Sequence, residues 1–182
     1  MKSCKNGHYL IFLLLMILNF GGKIKAQNLL SESFNYTGGT LLTSTGTGTT
    51  GITASWLALS GTGINNITAS TGNLTYPGSI GNGIGNKISL SNNGQDIYRS
   101  FTSTTISATS PVLYVSMIVN VSSAQETGDY FFSLNNSNNA PIYIKANGDG
   151  FSFGVLRTAG AGTVEYESTI RPFNTPIYIV VK

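Results

Sequence analysis

Ten residues, VLYVSMIVNV at positions 112–121, constrain this chain more tightly than any other stretch. Leu113, Val115, Met117, Val119 and Val121 fall on one parity, while Tyr114, Ser116, Ile118 and Asn120 fall on the other. Successive side chains leave a pleated strand on opposite faces, so a period of two held this long predicts a strand with one buried side. Later runs repeat the pattern. GDYFFSL groups Tyr130, Phe132 and Leu134, PIYIKA sets Ile142 and Ile144 against Tyr143 and Lys145, and PIYIVVK aligns Ile177, Ile179 and Val181. In NGDGFSFGVLR, the Asn147-Gly148 and Asp149-Gly150 steps favour a hairpin because glycine admits positive φ; Phe151, Phe153 and Val155 then align. No segment of comparable length has a helical period. Strands with one apolar face must bury it against a second layer, which predicts an all-β, antiparallel β-sandwich.

The first half is more broken by turns. NLLSESFNY predicts an opening strand at Leu29–Tyr36, and ITASWLALSG places Trp56, Leu57 and Leu59 in another. TSTGTGTTG (43–51) and GSIGNGIGN (78–86) are loops by composition, while NNITAS and NLTYP give short extended pieces. KISLSNN and DIYRSFTS predict strands on either side of Asn92–Gly94.

Residues 1–26 have the layout of a secretory signal peptide. MKSCKNGH is basic through Lys2 and Lys5, YLIFLLLMILNF is an apolar run too short for an ordinary membrane span, and GGKIKA offers a small residue before the expected cut after Ala26. Residues 27–182 then form one β-sandwich domain, long enough for one core. Loss of Lys2, Lys5, Lys23 and Lys25 leaves six basic residues against seven acidic ones, so the formal charge of +3 becomes −1. No basic patch survives to bind nucleic acid. Cys4 and His8 go with the leader, which excludes thiol catalysis, histidine triads, histidine metal centres and disulfides from the mature domain. The sequence stops at Lys182 inside the last predicted strand, which raises the expectation of C-terminal truncation.

Several phrases act together: NLLSESFNY, GNLTYPG, GIGNKISLSNNGQDIYRSF, LYVSMIVNVSSAQETGDYFFSL, GFSFGVLR and TPIYIVVK. Taken together, they resemble the β-sandwich module near the N-terminus of exported multidomain proteins of gliding and gut Bacteroidetes-type bacteria. That module is similar to concanavalin A-like jelly rolls. The resemblance implies a secreted or cell-surface location, a jelly-roll-like sandwich and contact with polysaccharide. It carries no catalytic signature. The downstream modules and C-terminal sorting domain of such proteins do not follow in this sequence.

Candidate sites follow from residue type. In VEYE, Glu165 and Glu167 would share one face of a strand, roughly 6.6–6.8 Å apart at Cα. Glycosidases hold their carboxyls roughly 5–5.5 Å apart when retaining and roughly 6.5–9.5 Å when inverting. Any alternate acidic pair on a strand passes that test. Jelly-roll glycanases carry Glu-x-Asp-x-x-Glu, and Ile170 stands where the last glutamate belongs. The pair therefore reads as the wet face of a short exposed strand. Calcium is the one candidate cofactor, with Asn147, Asp149 and Asp96 in loops able to offer hard oxygens. GIGNK shares only its glycines with a phosphate loop. Tyr114 and Tyr143 lie off the main apolar faces and are candidates for stacking on a glycan. Trp56 is open to either a core or a sugar-platform reading. The expected function is a non-catalytic adhesion, scaffold or carbohydrate-binding module, with a structural spacer and a glycoside hydrolase or lyase fragment as alternatives.

Overall fold

The computed structural model describes residues 28–44, 55–79, 83–101, 112–134, 139–156 and 162–182. The candidate leader, residues 45–51 of the first predicted loop and residues 80–82 of the second lie outside them. Among the described residues the only helical piece is a 3-10 turn at Leu42–Ser44. No helix there is long and apolar enough to cross a membrane.

Eleven strands follow among the described residues: β1 (Leu57–Ser60), β2 (Ala69–Ser70), β3 (Lys87–Ile88), β4 (Asp96–Tyr98), β5 (Val115–Val119), β6 (Asp129–Leu134), β7 (Asn139–Asn147), β8 (Gly150–Val155), β9 (Glu165–Tyr166), β10 (Arg171–Pro172) and β11 (Ile177–Val181). Every pairing is antiparallel. One five-stranded sheet runs β10-β8-β7-β6, with β9 also on β8; three ribbons, β1-β4, β2-β3 and β5-β11, complete the arrangement. The protein is thus all-β, consistent with a β-sandwich-type fold.

The period-two runs become the longest ladders. β5 and β11 pair from Val119–Ile177 to Val115–Val181. Ile177, Ile179 and Val181 are half-buried, whereas Tyr178 and Val180 are exposed. The β7-β8 hairpin closes on the pair Asn147–Gly150, and its turn has positive φ at Gly148 but not at Asp149. Glycine at the first of two central residues suits a type II′ turn, whose twist matches that of the strands. On one face of this hairpin Ile144 opposes Phe153 and Ala146 opposes Phe151. Phe151 is fully buried, edge-on to Phe153 (5.2 Å) and stacked on Phe173 (5.6 Å).

Three sequence expectations need correction. Leu29–Tyr36 is not a strand: Phe34 has φ +51, which no extended chain adopts, and Glu32 Oε1 accepts from the Phe34 amide at 2.8 Å. Leu57 and Leu59 form β1 as expected and are exposed, but Trp56 lies just before the strand, where it packs on the cluster of Leu42, Ile67 and Ala69. Tyr130 and Phe132 do not share a face. The β6-β7 register slips between them, so Tyr130 pairs with Tyr143 and Phe132 with Ile142, adjacent residues of opposite parity. A bulge of this kind reverses which side of the sheet the following residues take.

Candidate functional site

The slip in β6 has a consequence on the other face of the sheet. Tyr130 pairs with Tyr143, Tyr143 with Gly154, and Gly154 with Tyr166, which makes one cross-strand row through β6, β7, β8 and β9. Ladder partners project to the same side, so three tyrosines and one glycine line a single face. Tyr130 and Tyr143 meet edge to face at 6.2 Å. A Cβ at Gly154 would come within 2.7 Å of Cδ1 and Cε1 of Tyr166, and a Cβ at Gly128 would collide with the Tyr166 hydroxyl. The Tyr166 ring therefore lies across β8 only because two positions beneath it lack side chains.

Polar groups border the row. Lys145 Nζ sits 5.5 Å from the centre of the Tyr166 ring. Asp96 Oδ2 accepts from Ser60 Oγ at 2.5 Å and stands 3.5 Å from the Tyr130 hydroxyl. Asp129 Oδ1 accepts from the Tyr130 amide at 2.8 Å. Burial, then the charges of Asp96 and Asp129, hold the Tyr130 hydroxyl above its ordinary pKa. Burial does the same for Tyr166, helped by Tyr143 and Asp129. Both remain hydroxyls, able to donate and accept. Beside Tyr166 an open cleft of about 550 Å³ is lined by Glu126, Lys145, Asn147, Ser152 and Glu167, among others.

The two glutamates of VEYE differ from each other. Glu165, in β9 opposite Val155, is exposed. Glu167 is half-buried and structural, which corrects the expectation of two equivalent wet residues. Its amide still donates to Phe153 O at 2.9 Å, but the next ladder pair is Phe151–Arg171, so residues 168–170 bulge out opposite Ser152. The bulge takes the next backbone acceptor away from Phe153, and Glu167 Oε1 takes that amide instead at 3.1 Å. Arg171 closes the bulge with two bonds to the carboxylate, Nε–Oε1 2.6 Å and Nη2–Oε2 2.7 Å. Ser152 Oγ bonds Thr169 O at 2.9 Å inside it. Arg171 holds the Glu167 carboxyl below its ordinary pKa, against the effect of burial and with help from the Phe153 amide. A general acid needs the opposite shift.

The other candidates are dispersed. Tyr143 is in the row. Tyr114 is exposed just before β5, with no ring contact to the row. Trp56 donates to Glu32 Oε2 at 3.2 Å, stacks on Phe34 at 6.0 Å and has the Arg99 guanidinium over its ring. Asn147 donates to Ser152 Oγ at 3.0 Å, Asp149 is exposed in the β7-β8 turn, and Asp96 lies against Ser60 and Tyr130. Among the described residues no three His, Cys, Asp or Glu converge as metal ligands.

Sequence reasoning missed Tyr130, Tyr166 and Gly154. The two-residue turn already fixes Tyr143 opposite Gly154, which is a readable signal. The β6 bulge and the pairing of β9 have none. No protein-family model, curated protein or solved structure matches this chain, so its function must be reasoned from its own side chains.

Proposed function

We propose that this chain is an exported, non-catalytic recognition module, secreted or held at a cell surface, that binds carbohydrate on the tyrosine-bearing face of a jelly-roll-like β-sandwich. The observation that carries this reading is the row Tyr130–Tyr143–Gly154–Tyr166. Tyrosine joins an apolar ring to a polar tip, which suits a sugar whose ring faces are apolar and whose rim is hydroxyl. The amide of Asn147 and the charged groups of Lys145 and Glu126 border the cleft and can fix orientation by hydrogen bonding. The row crosses four strands spaced about 4.8 Å apart, so it matches a length of chain better than one sugar ring.

A thermal melt of the purified protein, with and without soluble polysaccharides, tests the reading. A ligand that binds only the folded state raises the melting temperature. At least one polysaccharide should do so, and Tyr143→Ala and Tyr166→Ala should each reduce the shift at the same ligand concentration. A parallel series with calcium tests the oxygens of Asn147, Asp149 and Asp96. A melt that no polysaccharide moves would leave the spacer reading. Polysaccharide cleavage lost on replacing Glu165 would point to a hydrolase or lyase fragment.

A further inference from the structure

The charges around the tyrosine row are unequal. Asp96 adjoins the Tyr130 hydroxyl at one end, and Glu126 lines the cleft beside Tyr166. Among the described residues, one ammonium stands against these carboxylates, that of Lys145 over the Tyr166 ring. Glu167 and Arg171 cancel each other. A chain of uronates or sulfated sugars laid along the row would bring repeated negative charge against these two carboxylates, and like charges at such range repel. A neutral chain meets no such penalty. Its hydroxyls can donate to the same carboxylates, and bonds to a charged acceptor are stronger than neutral ones.

Resting on the carbohydrate reading, we propose that the ligand is a neutral polysaccharide and that the carboxylates of this face act as a specificity filter against polyanionic glycans. Tyr166 is the platform residue. Gly154 and Gly128 are positioning residues, because their missing side chains let the ring lie across the sheet.

The test uses affinity gels and titration calorimetry on the purified protein. Laminarin, xyloglucan and galactomannan serve as neutral probes, and polygalacturonate and alginate as polyanionic ones. Binding is expected for at least one neutral probe and for neither polyanion, and it should hold as salt rises, since no ion pair with the ligand is screened. Tyr166→Ala should weaken it about tenfold, the scale of one lost ring contact. Glu126→Lys removes one charged acceptor for the neutral chain and should weaken neutral binding about threefold to tenfold, while bringing in polygalacturonate at low salt, because it replaces repulsion by attraction.

If polygalacturonate or alginate binds the unaltered protein and Tyr166→Ala abolishes it, carbohydrate recognition stands and the neutral preference is overturned. If neither class binds while the variants melt like the parent, the carbohydrate reading falls and the preference with it. Should neutral binding survive both Tyr166→Ala and Tyr143→Ala, the row is not the site, and that too overturns the inference.

Discussion

The two halves of the molecule satisfy their backbones by different means. From Val115 onward the work is done by ladders, with β7 and β8 paired over six positions and β5 and β11 over five. Before Ser100 the strands are two to four residues long, and side chains replace the missing ladder bonds. Gln95 Oε1 accepts from the Ile67 amide at 3.1 Å, Asn86 Nδ2 donates to Tyr36 O at 2.7 Å, and Asn86 Oδ1 accepts from the Gly72 amide at 3.0 Å. Glu32 is the extreme case. It takes the Phe34 amide, the Tyr36 hydroxyl, the Trp56 indole and Arg99 Nη1, the last at 2.6 Å, with its side chain 6% exposed and that of Arg99 1%. Buried backbone groups need partners in either half. Ladders supply them through shape and register, and tolerate changes of side chain. A polar network supplies them through particular atoms, and does not.

That contrast can be broken at its strongest point. Glu32→Ala leaves Arg99 buried without its carboxylate and strips partners from three other donors, so it should cost about 3–5 kcal/mol in chemical denaturation. At the centre of the other half, Phe151→Leu keeps an apolar group in an apolar site and should cost only about 1–2 kcal/mol. If the two variants lose equal stability, the halves are not held differently. Glu32→Gln sharpens the comparison. Gln has nearly the same shape, yet the variant should still fall well below Phe151→Leu, because the charge facing Arg99 is gone.

The same difference explains what was legible in the sequence. Alternation of apolar residues in VLYVSMIVNV and PIYIVVK makes a strand visible without knowledge of its partner, and the turn at Gly148-Asp149 sets the β7-β8 register locally. Nothing in NLLSESFNY marks Glu32 as buried, since its partners Trp56 and Arg99 lie 24 and 67 residues away. The strand expected over Leu29–Tyr36 is defeated by the left-handed Phe34. The tyrosine row falls between these cases. Tyr143 was readable as off the apolar face, but Tyr130 joins it through a bulge and Tyr166 through a two-residue strand, and neither leaves a periodic trace. Glu165 and Glu167 looked alike because parity is all that spacing offers; the extra residues at 168–170 distinguish them.

Glu167 tests whether the ladder half also contains a polar key of its own, on a smaller scale. Its pair with Arg171 is half-exposed, so solvent screening reduces its worth. Glu167→Ala should cost about 1–2 kcal/mol, and Glu167→Gln, which can still accept from the Phe153 amide, about 1 kcal/mol or less. The same swap at exposed Glu165 should cost less again. Acid gives an independent reading. The folded Glu167 carboxyl titrates below its ordinary 4.5, so its contribution is present above that pH and disappears as pH falls through the folded value. Denaturation midpoints followed from neutral to acidic pH should show Glu167→Gln converging on the parent protein. A constant gap would mean that the carboxylate is not what closes the bulge.

The smallest effect is expected at the alkaline end and belongs to the tyrosine row. Tyr130 and Tyr166 keep their protons above the ordinary 10.0, the first through burial and then Asp96 and Asp129, the second through burial and then Tyr143 and Asp129. The folded state then holds protons that the unfolded chain releases sooner. Their contribution is intact below pH 10.0 and declines as pH rises through the folded values. Tyr130→Phe should flatten this decline more than Tyr166→Phe, because only Tyr130 has a carboxylate within 3.5 Å of its hydroxyl. Midpoints of denaturation at graded alkaline pH, with each tyrosine's absorbance change recorded alongside, would separate the two. An alkaline slope indifferent to both substitutions would mean that the carboxylates do not act on the row. The charge filter proposed for this face would then lose its physical basis, even where the tyrosines still contact the ligand.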